Sequence, residues 1–150
     1  MIKEYEITTV TLAIVPISKN VSRIYEKEKD FIVEKNSFDI IDGSCKFFGS
    51  SYTGRFEGTK NLVGYNYKAP IIIEESRRII FFPTASPRQE SCCWISLNNI
   101  KDYNKLLDKT KIIFNNAVEI ILDVSFFSLE SQILRSTRLS DVLQKKMEKI

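Results

Sequence analysis

Asp42-Gly43-Ser44-Cys45-Lys46-Phe47-Phe48-Gly49-Ser50-Ser51-Tyr52-Thr53-Gly54-Arg55-Phe56-Glu57-Gly58-Thr59-Lys60-Asn61-Leu62-Val63-Gly64 holds all five glycines of a 150-residue chain. Asp42-Gly43-Ser44 breaks a preceding apolar run. Tyr52, Phe56 and Leu62 then follow Phe48 at spacings that predict one face of a helix. Gly49, Gly54 and Gly58 would cost that helix roughly 1 kcal/mol each relative to Ala, so they point to a backbone approaching closely. Lys46, Ser50, Ser51, Thr53, Arg55 and Lys60 fall on the polar side. Small hydroxyls and amides admit a phosphate strand, and Arg and Lys supply charge. A glycine-rich turn that supports the core through its aromatics explains the same residues equally well.

A phosphate loop is excluded by the spacing. Gly49 and Gly54 have four residues between them as that motif requires, but Arg55-Phe56 follow where Lys-Ser/Thr must lie to reach the terminal phosphate and Mg²⁺. Gly58-Thr59-Lys60 has the order reversed, and no G-x-G-x-x-G occurs.

Before this stretch the chain reads as strands: Tyr5–Ile17, Val21–Tyr25 and Phe31–Val33, with the sign-alternating run Glu26–Asp30 as a solvated turn. Lys35-Asn36-Ser37 reads as a hairpin turn into a further strand, Phe38–Ile41. After it, Ile71–Ile73 and Arg77–Phe82 form a strand pair. Pro83 and Pro87 then open a loop reaching to Ser91, and its long polar side chains, Arg88 and Gln89, can reach base edges. Cys93–Leu97 is a short strand anchored by Trp94, and Thr110–Phe114 with Val118–Leu122 form a second hairpin. Phe126–Ile150 is helical, with an apolar stripe from Leu129 to Ile150. Ser128 is placed to cap it, Arg135 and Arg138 are its candidate cations, and the stripe falters at Ser136-Thr137, which predicts a break there with Ser140 capping a second helix.

The resulting expectation is an α+β fold of antiparallel β-hairpins with packed helices and a long C-terminal helix, in one domain spanning residues 1–150. Ile40-Ile41-Asp42-Gly43-Ser44 echoes Ile121-Leu122-Asp123-Val124-Ser125 at an offset of 81 residues, each before a Phe-Phe pair. Either two ββα pseudo-repeats, about residues 20–65 and 95–150, underlie this, or two β–turn–α units are alike by chance.

Composition narrows the function classes. The chain is 43% hydrophobic, enough for a core, and its net charge of +3 is compatible with nucleic acid without demanding it. It has no histidine, which removes the usual proton carrier near neutral pH. Cys45, Cys92 and Cys93 form neither a C-x-x-C pair nor the four thiolates of a structural zinc site, so free thiols and no metal or cofactor are expected. No run approaches the roughly 18 apolar residues needed to span a bilayer. The N-terminus lacks the pattern of a signal peptide, which predicts a cytoplasmic protein.

Phe47-Phe48-Gly49-Ser50-Ser51-Tyr52-Thr53-Gly54-Arg55 resembles the ComK family of competence transcription factors of Gram-positive bacteria. The likeness continues through Ile40–Cys45, Lys68-Ala69-Pro70-Ile71, Phe82-Pro83-Thr84 and Cys92–Ser96, and covers roughly residues 5–138. It implies a sequence-specific activator of DNA-uptake genes that binds double-stranded A/T-rich DNA as a homo-oligomer, with minor-groove contacts, and that is controlled through a proteolytic adaptor. The residues placed to serve such contacts are Lys46, Ser50, Ser51, Arg55, Lys60, Arg88, Gln89, Ser128, Arg135 and Arg138.

Two departures stand out. The family motif before the tryptophan runs Arg-Pro-Gln-Cys-Gly-Trp, whereas here Arg88-Gln89-Glu90-Ser91-Cys92-Cys93-Trp94 shifts the arginine by one and adds an acid. The adaptor-binding segment of better-known relatives lies in a C-terminal tail, beyond the point where this sequence stops. Trp94–Ile100, followed by a hairpin and helix, is also similar to the LytTR class of β-rich DNA-binding domains, which would nominate Arg88–Ser91 and Ser125–Ser128. Two other readings are a shortened module that pairs with a partner protein without productive DNA binding, and an enzyme, supported only by the cysteine pair.

Overall fold

Asn36 caps a helix, and this overturns the strand expected at Phe38–Ile41. In the computed structural model, which describes all residues from Met1 to Ile150, the Asn36 side chain accepts hydrogen bonds from the Phe38 and Asp39 amides at 2.9 and 3.4 Å. Helix α1 then spans Ser37–Phe47. Its buried residues, Ser37, Phe38, Ile41, Ser44 and Cys45 with Ile40, follow the helical period. Four apolar-rich residues cannot distinguish a period of 2 from one of 3.6, so the local pattern misled.

Asp42-Gly43-Ser44 therefore lies inside α1, and the single helix expected beyond it is two. The chain turns at Gly49, whose φ of +90° suits glycine alone without strain. The Gly49 amide bonds to Lys46 O at 3.0 Å and the Ser50 amide to Cys45 O at 2.9 Å, which closes the end of α1 as a Schellman motif. Helix α2 follows at Tyr52–Val63, capped by Ser51, whose Oγ accepts from the Gly54 amide at 3.0 Å.

The strands are β1 (Thr11–Ser18), β2 (Val21–Glu26), β3 (Asp30–Val33), β4 (Ile71–Glu74), β5 (Ile79–Pro83), β6 (Trp94–Ser96), β7 (Ile100–Leu106), β8 (Lys109–Phe114) and β9 (Glu119–Leu122), followed by helix α3 (Phe126–Glu148). Six form an antiparallel sheet in the order β3-β2-β1-β6-β5-β4, and three form a meander, β7-β8-β9. The expected α+β class holds.

Both faces of the larger sheet are covered. Ile14, Phe81 and Trp94 pack under α1 with Phe38, Ile41 and Cys45. Their chain neighbours Ala13, Phe82 and Ile95 point the other way, onto Ile112, Phe114, Ile120 and Leu122 of the small sheet and Leu129 of α3. Farther along α3, Leu139 and Leu143 cover Ile72 and Ile80. The alternation also accounts for the cysteine pair, because Cys92 packs into the first cluster and Cys93 into the second. It is why the central strands read as unbroken apolar runs.

Helix α3 is continuous, contrary to the expected break. The hydroxyls of Ser136 and Thr137 donate back to Gln132 O and Ile133 O at 2.7 and 2.8 Å, so these residues are absorbed into the helix. Its cap is Ser125, whose Oγ accepts from the Ser128 amide at 3.2 Å, and not Ser128. From Leu129 to Leu143 the apolar stripe is spent on the two sheets, and Met147 and Ile150 at its end are exposed.

The echo at offset 81 aligns α1 with β9 and has no structural counterpart residue by residue. A three-strand meander followed by a capped helix does recur at offsets of 88 and 89: β2 starts at Val21 and β8 at Lys109, and the caps are Asn36 and Ser125.

Candidate nucleic-acid interface

The nominated residues fall into two patches and two outliers. The first patch is organised by Asp42, on the side of α1 that faces the start of α2. One carboxylate oxygen accepts from the Tyr52 amide at 2.9 Å, and the other lies 3.0 Å from Lys46 Nζ. Partial burial pushes this carboxyl up, but the Tyr52 N–H, the Lys46 ammonium and the Arg88 guanidinium together outweigh it and hold the pKa below its ordinary value.

Arg88 reaches this patch from the 84–93 loop. Its guanidinium sits 4.1 Å over the ring of Phe38, and Arg88 and Gln89 are both exposed. The loop is held by the Thr84 amide on Cys93 O and by the Cys93 amide on Thr84 Oγ1, at 2.9 and 3.0 Å. Lys46 and Arg88 thus face solvent on either side of Asp42, with Gln89 beside Asn36 and Ser37 at the other end of α1, while Ser51 is occupied as a cap and Ser50 closes α1. A methyl group at Gly54 would meet Ser50 Oγ at 2.6 Å, whereas one at Gly49 or Gly58 would meet nothing within 4 Å, so the expected close approach is confined to Gly54 and is by a serine of the chain itself.

The second patch lies where α3 begins. Arg135 donates to Tyr67 O at 2.7 Å, Lys68 O at 3.3 Å and Gln132 Oε1 at 2.5 Å, with its guanidinium 4.5 Å over the Tyr65 ring. Gln132 is buried and donates to Lys68 O and Pro83 O at 2.9 and 2.7 Å. Together they clamp the Tyr65–Pro70 segment onto α3. Above the clamp opens a cleft of about 360 Å³ lined by Tyr67, Lys68, Thr84, Phe127, Ser128 and Arg135. Ser128 is exposed, and Phe127 is 73% exposed. Arg138 is exposed farther along the helix.

Tyr67, Lys68 and Phe127 escaped the sequence reading. The Phe126-Phe127 pair held a signal: on a helix, neighbouring residues diverge by about 100°, so one ring had to face outward. Phe126 packs on Tyr103 at 5.4 Å, and Phe127 is the outward one.

Arg55 and Lys60 stand apart. Arg55 turns inward to Glu75, with Nη1 2.7 Å from Oε1, its side chain only 14% exposed and its Nε buried without a hydrogen-bond partner. Lys60 is exposed in the last turn of α2.

The three thiols are free and buried, and burial pushes Cys45 and Cys92 up to about 12 and Cys93 to about 11, which keeps them protonated and unreactive. No helix is long and apolar enough to cross a membrane.

The description "ComK protein" belongs to the family whose pattern matches residues 2–148. The chain belongs to the ComK family. It is 34% identical over 151 residues to the competence transcription factor of Bacillus subtilis (strain 168), a match spanning 98% of this chain and 79% of the relative. No solved structure matches it. In this chain the Phe47–Arg55 motif is the end of α1, the Gly49 turn and the start of α2, with Tyr52 packed edge-on to Phe38 and Trp94.

Proposed function

We propose that this chain is a competence transcription factor that binds A/T-rich duplex DNA as a homo-oligomer and activates DNA-uptake genes. The observation that carries the reading is the extent of the family match, which runs through residues 2–148 and so includes both surface patches. The chemistry of those patches supports it. Lys46 and Arg88 supply positive charge for phosphates, Gln89, Ser50 and Ser128 supply hydrogen bonds, Arg138 extends the second patch along α3, and Lys60 adds a cation outside both patches. Narrow A/T-rich minor grooves have a strongly negative potential that favours inserted Arg and Lys.

In this reading Arg55 and Arg135 act indirectly, by holding α2 and the Tyr65–Pro70 segment in place. The protein works in the cytoplasm, at the nucleoid. Control by a proteolytic adaptor belongs to the same proposal.

The test is a titration of the purified chain against A/T-rich and G/C-rich duplexes of equal length at several salt concentrations. Preferred binding of the A/T-rich duplex, weakening steeply with salt as counterions are released, is the expected result. Equal affinity for the two duplexes would sink the reading. Light scattering on the bound complex checks the oligomer.

A further inference from the structure

The β7–β8 hairpin turns on Leu107-Asp108, between the paired residues Leu106 and Lys109. Leu107 has a φ of +58° and is 89% exposed, and Leu106 beside it is 43% exposed. Both features are costly in water. Left-handed backbone costs a leucine roughly 1 kcal/mol, and tight hairpin turns ordinarily use Gly, Asn or Asp there. Lys68, Arg78 and Ala117 also have positive φ, but none is a large apolar side chain. The corresponding hairpin of the first meander, β1–β2, turns on the polar pair Lys19-Asn20 at ordinary φ.

Exposed charges of both signs flank the tip. Lys101, Lys105 and Lys109 are exposed and make no ion pair, whereas Lys111 is paired with Glu119 at 3.6 Å; Asp102, Asp108 and Asp123, the residue after Leu122 opposite Thr110, are the acids nearby. The tip is also anchored beside the second patch. Thr110 Oγ1 donates to Val124 O at 2.8 Å, one residue before the Ser125 cap, and Tyr103 hydrogen-bonds to Glu130 and packs on Phe126. An exposed apolar tip flanked by unpaired lysines, continuous with the start of α3, fits a polyanion with an apolar interior between its charged strands. Duplex DNA has that chemistry, and apolar wedges entering base steps are a known mode of binding it.

We propose that the β7–β8 hairpin is a DNA-contacting arm that inserts Leu107 between stacked base pairs while Lys105 and Lys109 hold the flanking phosphates. This rests on the DNA-binding reading given above.

The probe is an A/T-rich duplex carrying 2-aminopurine in place of adenine at successive positions, since this base brightens when unstacked. The wild-type chain should brighten the probe at one or a few adjacent positions. Leu107→Asn removes the wedge and suits a left-handed turn, so the melting temperature should hold. Its affinity should fall roughly tenfold, within the range for losing one side chain stacked on a base, and the brightening should vanish. The Lys105→Ala and Lys109→Ala variants should each lower the salt slope by about one.

Wild-type binding with no brightening at any position, or equal brightening by Leu107→Asn, would overturn the arm and leave the DNA-binding reading standing. No binding by the wild-type chain would overturn both. Loss of self-association by Leu107→Asn in the absence of DNA, with DNA affinity unchanged, would overturn the arm in favour of a contact between copies of the chain.

Discussion

Arg135 Nη2 donates to the carbonyl of Tyr67 at 2.7 Å, across 68 positions of sequence. With its other guanidinium nitrogen on Lys68 O and Gln132, one side chain of α3 fixes the segment that joins α2 to β4. Burial lowers its pKa, but an arginine remains charged at any working pH. Arg135→Ala should lower stability by about 1–3 kcal/mol through the Tyr67 carbonyl and the Gln132 amide oxygen left unpaired, and should weaken DNA binding through the loosened cleft. Arg135→Lys should restore little, because an ammonium cannot reproduce the fork. Thermal melting and a binding titration on each variant check this.

Phe127 is the converse case. Its ring is exposed and contributes little to the core, so Phe127→Ala should leave the melting temperature within a degree or two. Affinity for an A/T-rich duplex should fall several-fold if the cleft is part of the DNA surface. Unchanged affinity would remove the cleft from that surface.

Arg55 reads as a DNA contact from the sequence and as an internal ion-pair partner from the structure. Arg55→Ala should destabilise the chain by about 1–2 kcal/mol through lost burial and hydrogen bonding. Glu75 is 58% exposed and solvent-screened, so a double-mutant cycle with Glu75→Gln should assign the pair itself no more than about 1 kcal/mol. The salt slope of DNA binding should match that of the wild type. A slope reduced by one would restore Arg55 as a phosphate contact.

Asp42 gives a signed pH dependence. Its folded pKa lies below the ordinary value of 3.8, so its contribution is present above that value and is lost as pH falls through the lower, folded pKa. Asp42→Asn should lower the melting temperature at pH 6 and flatten its decline below pH 4. A variant that parallels the wild type over that range would show that the Tyr52 and Lys46 contacts carry no weight.

The three cysteines should be silent toward a thiol reagent at pH 8 in the folded chain and should all react in denaturant. Thiols held at about 11 to 12 carry little thiolate at that pH. Rapid reaction of Cys92 in the native state would reopen a redox or catalytic role.

How far the sequence was legible depended on the range of the interaction involved. β5, β8, β9 and the long C-terminal helix showed themselves in apolar runs and periodicity, because each buries a regular face. β7 was not seen at all: Ile-Lys-Asp-Tyr-Asn-Lys-Leu is an edge strand with most of its residues exposed, so no alternation marks it. α1 was mistaken for a strand, because the deciding fact is which group satisfies two amides after Asn36. The candidate site was legible as residue types and not as an arrangement. Lys46 and Arg88 meet about Asp42, through a loop brought over Phe38 from 50 positions away, whereas Arg55 and Arg135 are withdrawn onto Glu75 and Tyr67.

The sequence by itself determined that this chain has a core, that it is α+β, that its glycine segment is no phosphate loop, and that Phe47–Arg55 marks the ComK family. Periodicity, spacing and composition are local, and they survive without knowledge of the fold. Only the tertiary structure decided that Gly49 ends a helix, that Cys92 and Cys93 look into opposite cores, and which cations are free. Those outcomes depend on partners far along the chain: the same arginine is a phosphate ligand in water and a structural clamp beside backbone carbonyls brought close by the fold.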